Sequence, residues 1–545
     1  MTQPATPDTV EASFNGESLS TAQETFTVQN DRGLYWMDLS ERHSKAAAEV
    51  AKPAAMRRQI DMITGSHHMQ VFWVNAGRGD LQLGFPFTWL RDDRRWVPRG
   101  DTFLRDPSTP PPMDTWNMTC IRCHTTAGQP RPDRDTGVWS SRVGELGIGC
   151  EACHGPGEAH ALANGNAFRR LRLHLGRAPD STIVQPARLD HVKSSEICGN
   201  CHSIKWYDAG EEWKQNGFKF RPGEDLAPES VVLRPAKLDE TPELKAVVGR
   251  HPEIITEFFW PDGMPRVSGR EYNGLIESPC YQKGRMGCLS CHSMHESDPA
   301  NQLARGKAGN EACLQCHTAM RGKEAAHTRH GTDSAGGLCV NCHMPYTTYG
   351  LLKAIRSHQI DSPNLQTSRS AGRPNACNLC HLDKTLAWTA EHLKAWGPLS
   401  IPALTSEDQT VSAAVLWALK GDAGQRALIA WSLGWEPARL ASGENWIAPT
   451  LARLLDDPYS VVRYIAQRSL ARLPGFAKFH YDYVGPPGER AAAAASALRI
   501  WTAATDPAPL RGRPEILFGP DGRWRAQTAD DFQSQRDNRP VHLRE

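Results

Sequence analysis

The stretch Gly149-Cys150-Glu151-Ala152-Cys153-His154-Gly155-Pro156-Gly157 decides how the rest of the chain is read. Two thiols stand three positions apart, and an imidazole follows the second directly. The same Cys-x-x-Cys-His string recurs at Cys120/Cys123/His124, Cys198/Cys201/His202, Cys288/Cys291/His292, Cys313/Cys316/His317, Cys339/Cys342/His343 and Cys377/Cys380/His381. Together the seven strings take up fourteen of the fifteen cysteines. This is the attachment motif of c-type haem. Each thiol can form a thioether with one vinyl group, and the next residue then offers its ring to the iron from the proximal side. Zinc knuckles also use Cys-x-x-Cys pairs, but they need no His after every second Cys. Disulfides need none at all. With 21 histidines in 545 residues, seven such placements by chance have a probability on the order of 10⁻¹⁰. The spacing predicts seven covalently bound haems c, with the histidine of each string as proximal ligand.

Between Cys120 and His381 each string has about 37 residues to itself, which leaves little chain for a side-chain core. Porphyrin packed against aromatic and aliphatic side chains is expected to supply much of that interior, and 17 tryptophans suit the purpose. An iron with two imidazoles is coordinatively full and suits electron transfer, whereas an open sixth position binds a small molecule. Candidates for the sixth position are His67, His68, His160, His295, His327, His330 and His358. Seven candidates balance seven irons only if all of them ligate. Adjacent strand residues point to opposite faces, so His67 and His68 can serve two different haems. If only one of them ligates, one iron is open. Met344 is an alternative ligand, read here as packing. The remaining histidines (His43, His174, His191, His251, His392, His480, His542) read as structural or surface groups, and Cys280 as a buried, unreactive thiol.

The other features bound the class. Lys+Arg 62 against Asp+Glu 61 leaves a net charge of +1, which argues against a nucleic-acid binder. No apolar run reaches 18 residues, so no membrane span is expected. The fold class expected is mainly α with a small N-terminal β-rich part: a haem-packed core followed by an α-helical, HEAT-like repeat domain. Residues 14–113 alternate apolar and polar residues in short runs, such as Thr25–Val28, Leu34–Met37, Gln70–Val74, Leu81–Leu83 and Phe87–Leu90. Residues 114–385 carry the haem strings. Within them, Phe258–Gly263 reads as a strand ending in a turn. Residues 390–505 place Leu, Ala and Trp at helical spacing, in the pairs 411–419 with 424–433 and 446–455 with 460–473, plus a helix near 489–503. The acidic, Pro-containing turn Asp456-Asp457-Pro458 followed by Val462-Arg463 resembles a HEAT repeat. Residues 506–545 read as an extended polar tail.

The Gly149–Gly157 stretch, the closely spaced fourth and fifth strings, Cys342-His343-Met344-Pro345 and Pro374-Asn375-Ala376-Cys377 together resemble the bacterial multihaem c-type cytochromes of the cytochrome c-554 type with doubled haem motifs. That group is distantly related to the octahaem hydroxylamine oxidoreductases and pentahaem nitrite reductases. The resemblance covers roughly residues 60–385. It implies haems in stacked and perpendicular pairs, mostly with two His ligands, and a C-terminal helical repeat domain. Two features depart from the pattern. Such proteins begin with a signal peptide and another haem motif, so a leader and an eighth string are expected upstream of Met1 in the coding DNA. No string ends in Lys, which removes the lysine-ligated catalytic haem of the nitrite reductases. The expected function is electron transfer along a haem chain, in a periplasmic or otherwise extracytoplasmic setting, with a redox protein as donor or acceptor and no catalytic residue assigned. An oxidoreductase with one open haem acting on a small nitrogen or sulfur compound is the alternative. A scaffold that binds a protein partner through the helical repeats is the second.

Overall fold

The computed structural model describes residues 1–545 apart from 22–23, 43–55, 66, 110–113, 177–178, 229, 299–300, 351, 398–399 and 544–545. His43 therefore lies outside the described residues, as does part of the proline run after Thr109. The chain is helix-rich with an N-terminal β part, and it divides into two compact units. The first comprises Met1–Gly100, Pro111–Leu233 and Arg285–Ser290; the second comprises Asp101–Pro110, Arg234–Gly284 and Cys291–Glu545. No helix among the described residues is long and apolar enough to cross a membrane.

The first unit opens with an antiparallel meander: β2 (Asn15–Ser20), β3 (Glu24–Asp31), β4 (Leu34–Arg42), β5 (Met56–Thr64), β6 (Met69–Asn75), β7 (Gln82–Leu90) and β8 (Arg95–Pro98). A short β1 (Thr2–Pro4) pairs with the second half of β5, beyond the stretch that pairs with β4. Alternation puts Phe26 and Val28, Tyr35, Met37 and Leu39, and Phe85, Phe87 and Trp89 on one buried face. That face is curled. Phe26 on β3 and Phe85 on β7 have ring centroids 5.7 Å apart, whereas four strand steps in a flat sheet amount to about 19 Å. Phe14 and Trp96, at the two ends of the meander, also meet at 5.4 Å. Register shifts in β2, β3, β5 and β6 supply bulges, which bend strands and raise their twist. The runs expected at 81–83 and 87–90 belong to a single strand, β7, and the module begins at Thr2 rather than at residue 14.

The rest of this unit is mostly turns, two-residue strand pairs and short helices, among them α1 (Glu151–His154), α2 (Glu158–Asn164), α3 (Ala167–Gly176) and α4 (His191–His202). Asn117, fully buried, ties them to the sheet. Its side-chain oxygen accepts from Gln82 N–H at 2.8 Å, and its amide donates to Ser141 Oγ at 2.8 Å.

The second unit holds both the later haem strings and the helical pairs. Its elements include α5 (Cys339–His343), α6 (Ala376–Cys380), α7 (Leu386–Trp396), α8 (Ala413–Lys420), α9 (Ala423–Ser432), α10 (Glu436–Ser442), α11 (Ile447–Leu454), α12 (Ser460–Leu470), α13 (Pro487–Ala504) and α14 (Ala526–Ser534). Helix α9 packs on α8 and α12, and α11 packs on α12 and α13. The acidic turn of the sequence reading is locked from both sides. Asp457 takes a bidentate bond from Arg426, at 2.7 and 3.1 Å, and both side chains are 1% exposed. Arg463 donates to the carbonyls of Asp457 and Pro458.

Three expectations need correction. The boundary placed between 385 and 390 falls inside one unit, because α6, which carries the seventh string, packs on α7, α8, α9 and α10. The tail after Asp506 is not extended throughout. Ile516, Leu517 and Phe518 are buried, and α14 packs on α8, so a three-residue apolar cluster outweighs its polar neighbours. Phe258 closes a helix (Glu253–Phe258), and only Phe259 is strand-like, in a single bridge to Pro265.

Candidate haem sites

Six of the seven strings adopt about one helical turn, and the reason is local; the fourth makes a shorter turn (Cys288–Ser290) and sets His292 in a bridge to Leu303. The amide of the histidine donates to the carbonyl of the first cysteine at 2.9 Å for His124, His154 and His317 and at 2.8 Å for His381. Positions i, i+3 and i+4 of such a turn share one face. Both thiols and the imidazole are therefore presented together, as two thioethers and one axial bond to a single porphyrin require. Neighbouring structure fixes each turn. Asp190 caps α4 through the amides of Val192 and Lys193, placing Cys198–His202 in its last turn. Asn375 caps α6 through Asn378 N–H at 3.0 Å. Ser195 Oγ accepts from Cys288 N–H at 3.2 Å, and Asn310 accepts from Cys339 N–H at 2.9 Å.

The ring geometry tests whether these groups fit an iron. A ligating imidazole nitrogen lies about 1.2 Å from its ring centre and about 2.0 Å from the metal, so two rings on opposite sides of one iron have centroids about 6.3 Å apart. His327 and His343 stand 6.1 Å apart with planes 8° from parallel. His292 and His358 stand 6.2 Å apart at 24°. His330 and His381 stand 6.1 Å apart at 32°. Each pair joins a string histidine to one of the sixth-position candidates. A stacked pair in direct contact would sit roughly 2 Å closer. These three pairs thus fit haem iron in both chemistry and spacing.

Second partners orient the rings. Nδ1 of His154 faces the carbonyl of Val184 at 2.8 Å, that of His343 the carbonyl of Asp361 at 2.8 Å, that of His330 the carbonyl of Thr328 at 2.6 Å and that of His358 the carbonyl of Arg356 at 3.2 Å. A carbonyl only accepts, so Nδ1 carries the proton and Nε2 is left with its lone pair for a metal. His160, on α2, has a different partner: its Nδ1 lies 3.2 Å from Asp180 Oδ2 and 3.1 Å from Asn164. Hydrogen bonds from Thr182 and Asn164 hold the Asp180 carboxyl well below the usual carboxylate range. Burial, with His330 alongside, lowers the His381 pKa and favours the neutral ring that ligates. None of these acceptors carries a sequence signal, since a backbone carbonyl is supplied by any residue. Trp388 was also missed: it lies 4.9 Å from the His381 ring, and His392 stacks on it at 4.0 Å. The i, i+4 spacing of Trp388 and His392 on α7 was the available signal.

The other candidates sit as follows. His67 and His68 occupy the turn between β5 and β6, the first exposed and the second half-buried, with rings 6.5 Å apart. Gly65 makes that turn possible: its φ is +96°, and a Cβ there would lie 2.4 Å from the Met69 carbonyl. His295 is exposed in a bend, and His317 is exposed at the end of its turn. Met344 is half-buried just after α5, and Cys280 is half-buried near Cys316, where burial pushes its thiol up.

The attachment thiols, considered before thioether formation, cluster from string to string. In the first unit Cys123 Sγ lies 3.9 Å from the Cys201 carbonyl, and Cys198 is pushed up by a hydrogen bond with Cys288, by burial and by nearby Cys153. In the second unit burial, with Cys339 and Cys291 nearby, raises Cys313 to about 12. Burial and nearby Cys342 raise Cys377 and Cys380 to about 12.

Comparison with known proteins agrees with this chemistry. Residues 281–322, holding the fourth and fifth strings, match the doubled CXXCH motif family; residues 107–155, holding the first and second, match the cytochrome c554 and c-prime family. The multiheme cytochrome MtrA of Shewanella baltica (strain OS185) is 24% identical over 212 residues, which is 37% of this chain and 53% of that protein. No solved structure matches. Fourteen paired thiols with histidines behind them, three imidazole pairs at the spacing two ligands of one iron require and two family matches on the string-bearing segments together support a multihaem c-type cytochrome, a class whose families imply covalently bound haem c.

Proposed function

We propose that this protein relays single electrons along seven covalently held haems in an extracytoplasmic compartment. The observation that carries the reading is the set of three facing imidazole pairs, His292/His358, His327/His343 and His330/His381, at 6.1 to 6.2 Å. When bound, haem supplies a one-electron iron couple whose potential follows axial ligands, burial and hydrogen bonding. The chain does the rest. Cys120/Cys123, Cys150/Cys153, Cys198/Cys201, Cys288/Cys291, Cys313/Cys316, Cys339/Cys342 and Cys377/Cys380 tether the groups. The paired rings would each give a nitrogen to the same iron and so leave it closed to a substrate.

Proximity of the thiols orders the relay. In the first unit the third string neighbours the first, the second and Cys288, so it is a branch point. In the second unit the order runs from Cys291 through the fifth and sixth strings to the seventh. His67, His68, His160 and His295 are the candidates for the other sixth positions, and one iron is open if only one of His67 and His68 ligates. The helical pairs after residue 410 are read as HEAT-like and as the face for a redox partner. Electron paramagnetic resonance of the fully ferric protein tests the reading. Low-spin signals alone support a relay, and a high-spin ferric signal that shifts with added nitrite or hydroxylamine supports an open catalytic haem instead. Intact mass should show seven haem increments.

A further inference from the structure

The chain leaves the sixth string at Met344 and comes back to it. Two strands, Tyr346–Gly350 and Lys353–Arg356, pair antiparallel with Tyr346 opposite Arg356. The hairpin therefore returns residues 356–361 to the turn that ends at His343. That short segment serves two candidate irons. His358 faces His292 of the fourth string. The Asp361 carbonyl accepts from Nδ1 of His343, whose ring faces His327. One piece of chain thus carries an axial ring for one iron and the acceptor behind an axial ring for another.

Arg356 holds its near end. The guanidinium donates to the carbonyls of Val340 and Met344 at 3.0 and 3.1 Å and to Asn341 Oδ1 at 2.7 Å, and it lies 4.1 Å over the Tyr346 ring. Both carbonyls stand at the end of the sixth string's helical turn, where the helix supplies too few donors of its own. The carbonyl of Arg356 itself accepts from Nδ1 of His358 at 3.2 Å. Its side chain therefore grips the sixth string while its main chain orients a ring of the fourth iron. Arg373 holds the far end. Nε donates to Asp262 at 3.0 Å and an Nη to Asp361 at 3.2 Å, and the side chain is 7% exposed. The amide of Asp361 also donates to the His343 carbonyl at 3.2 Å. The helix Glu271–Glu277 backs the middle of the segment. A Cβ on its Gly274 would stand 2.7 Å from the Gln359 nitrogen and 3.0 Å from the His358 carbonyl carbon, so glycine permits the close approach. Every partner here is a protein group within one compact unit.

We propose that Arg356 is a positioning residue for two irons at once, setting the ring planes of His358 at the fourth haem and of His343 at the sixth. Arg373 fixes the His343 end alone. The assignment rests on the reading of these rings as axial ligands. Their pairs stand 24° and 8° from parallel. Hydrogen-bond partners behind a ligating ring fix its orientation, and the g-values of a low-spin ferric haem follow the angle between its two ring planes.

Electron paramagnetic resonance of the full-length, haem-loaded, fully ferric protein tests the proposal. His327→Ala and His358→Ala each remove one low-spin signal and so assign the two irons. Arg356→Gln should raise the largest g-value of both assigned signals, with the haem content of the intact protein unchanged. Arg373→Gln should move the His327/His343 signal alone, and Gly274→Ala the His292/His358 signal alone. If Arg356→Gln sheds a haem, Arg356→Lys takes its place; an ammonium keeps the charge but not the planar fork, so the same two signals move. Three results overturn the proposal: either assigned signal unmoved in the Arg356 variants, a shift of every low-spin signal, which marks general loosening, or Arg373→Gln and Gly274→Ala moving the same signal. If His327→Ala and His358→Ala leave every iron low-spin, the ligand reading falls and the proposal with it. If they remove their signals and the Arg356 variants keep wild-type g-values, the positioning role alone falls.

Discussion

Two ten-residue helices of this protein have opposite surroundings. In α9 (Ala423–Ser432) all but Gln425 and Trp431 are buried; in α3 (Ala167–Gly176) no residue is. Both have helical dihedrals and an apolar stripe, so the difference lies in what each packs against. Around α9 the polypeptide supplies its own interior: Ala427, Leu428, Ile429 and Leu433 meet α8 and α12. Around the second and third strings the side-chain core shrinks to Ile197, Phe220 and Leu226 with a few half-buried neighbours. A segment so poor in buried apolar area does not offset its chain entropy by side chains alone. Covalently held porphyrin is the remaining source of apolar contact there.

The comparison can be broken by withholding the cofactor. Protein made with the fourteen attachment cysteines changed to alanine should carry no haem absorbance, and limited proteolysis should cut first between residues 150 and 190. First cuts between 411 and 470 would reverse the assignment of the two regions. The next largest effect is at the buried ion pair. Asp457→Ala leaves Arg426 charged and unpaired, and chemical denaturation followed by far-ultraviolet circular dichroism should show a loss of about 3–5 kcal/mol. A direct contrast sharpens the point. Leu428→Ala, at a fully buried position, should cost about 3 kcal/mol, and Leu171→Ala less than about 0.5 kcal/mol.

A spectroscopic change with little effect on stability is expected from His327→Ala, which should turn one low-spin iron high-spin in electron paramagnetic resonance; an unchanged spectrum removes His327 as a ligand. The smallest effect concerns pH. Burial holds the Asp101 carboxyl above its ordinary value of 3.8, against the pull of Ser460 and Arg463. Folding then takes up a proton between those two values, so the contribution is full below pH 3.8 and is lost as pH rises through the raised value. Asp101→Asn should flatten that decline by about 1 kcal/mol or less in thermal melts across acidic pH.

Haem attachment was legible in the sequence because the chemistry dictates a fixed spacing within five residues. The helical pairs were legible for a different reason: 413–420, 423–432, 447–454 and 460–470 are runs of eight to eleven residues rich in Ala, Leu, Ile and Val, each too long and too continuous for a strand. What escaped was non-local. Strand β5 reads MRRQIDMIT, whose arginines and aspartate hide the strand, and Ile60 and Ile63, three positions apart, reach the same core only through the register shift between Ile60 and Met62. The closure of the sheet rests on Phe14 meeting Trp96 across 82 positions. The distal candidates His327, His330 and His358 came from context alone, and which string each faces is set by the fold. Asp180 and Val184, which orient rings, lie in a loop with no periodic signal.

The carbonyl acceptors behind His154, His330, His343 and His358 have a further consequence. An amide oxygen neither gains nor releases hydrogen ions in ordinary buffers, so the acceptor behind each of those rings stays the same at every working acidity and the nitrogen it holds keeps its hydrogen.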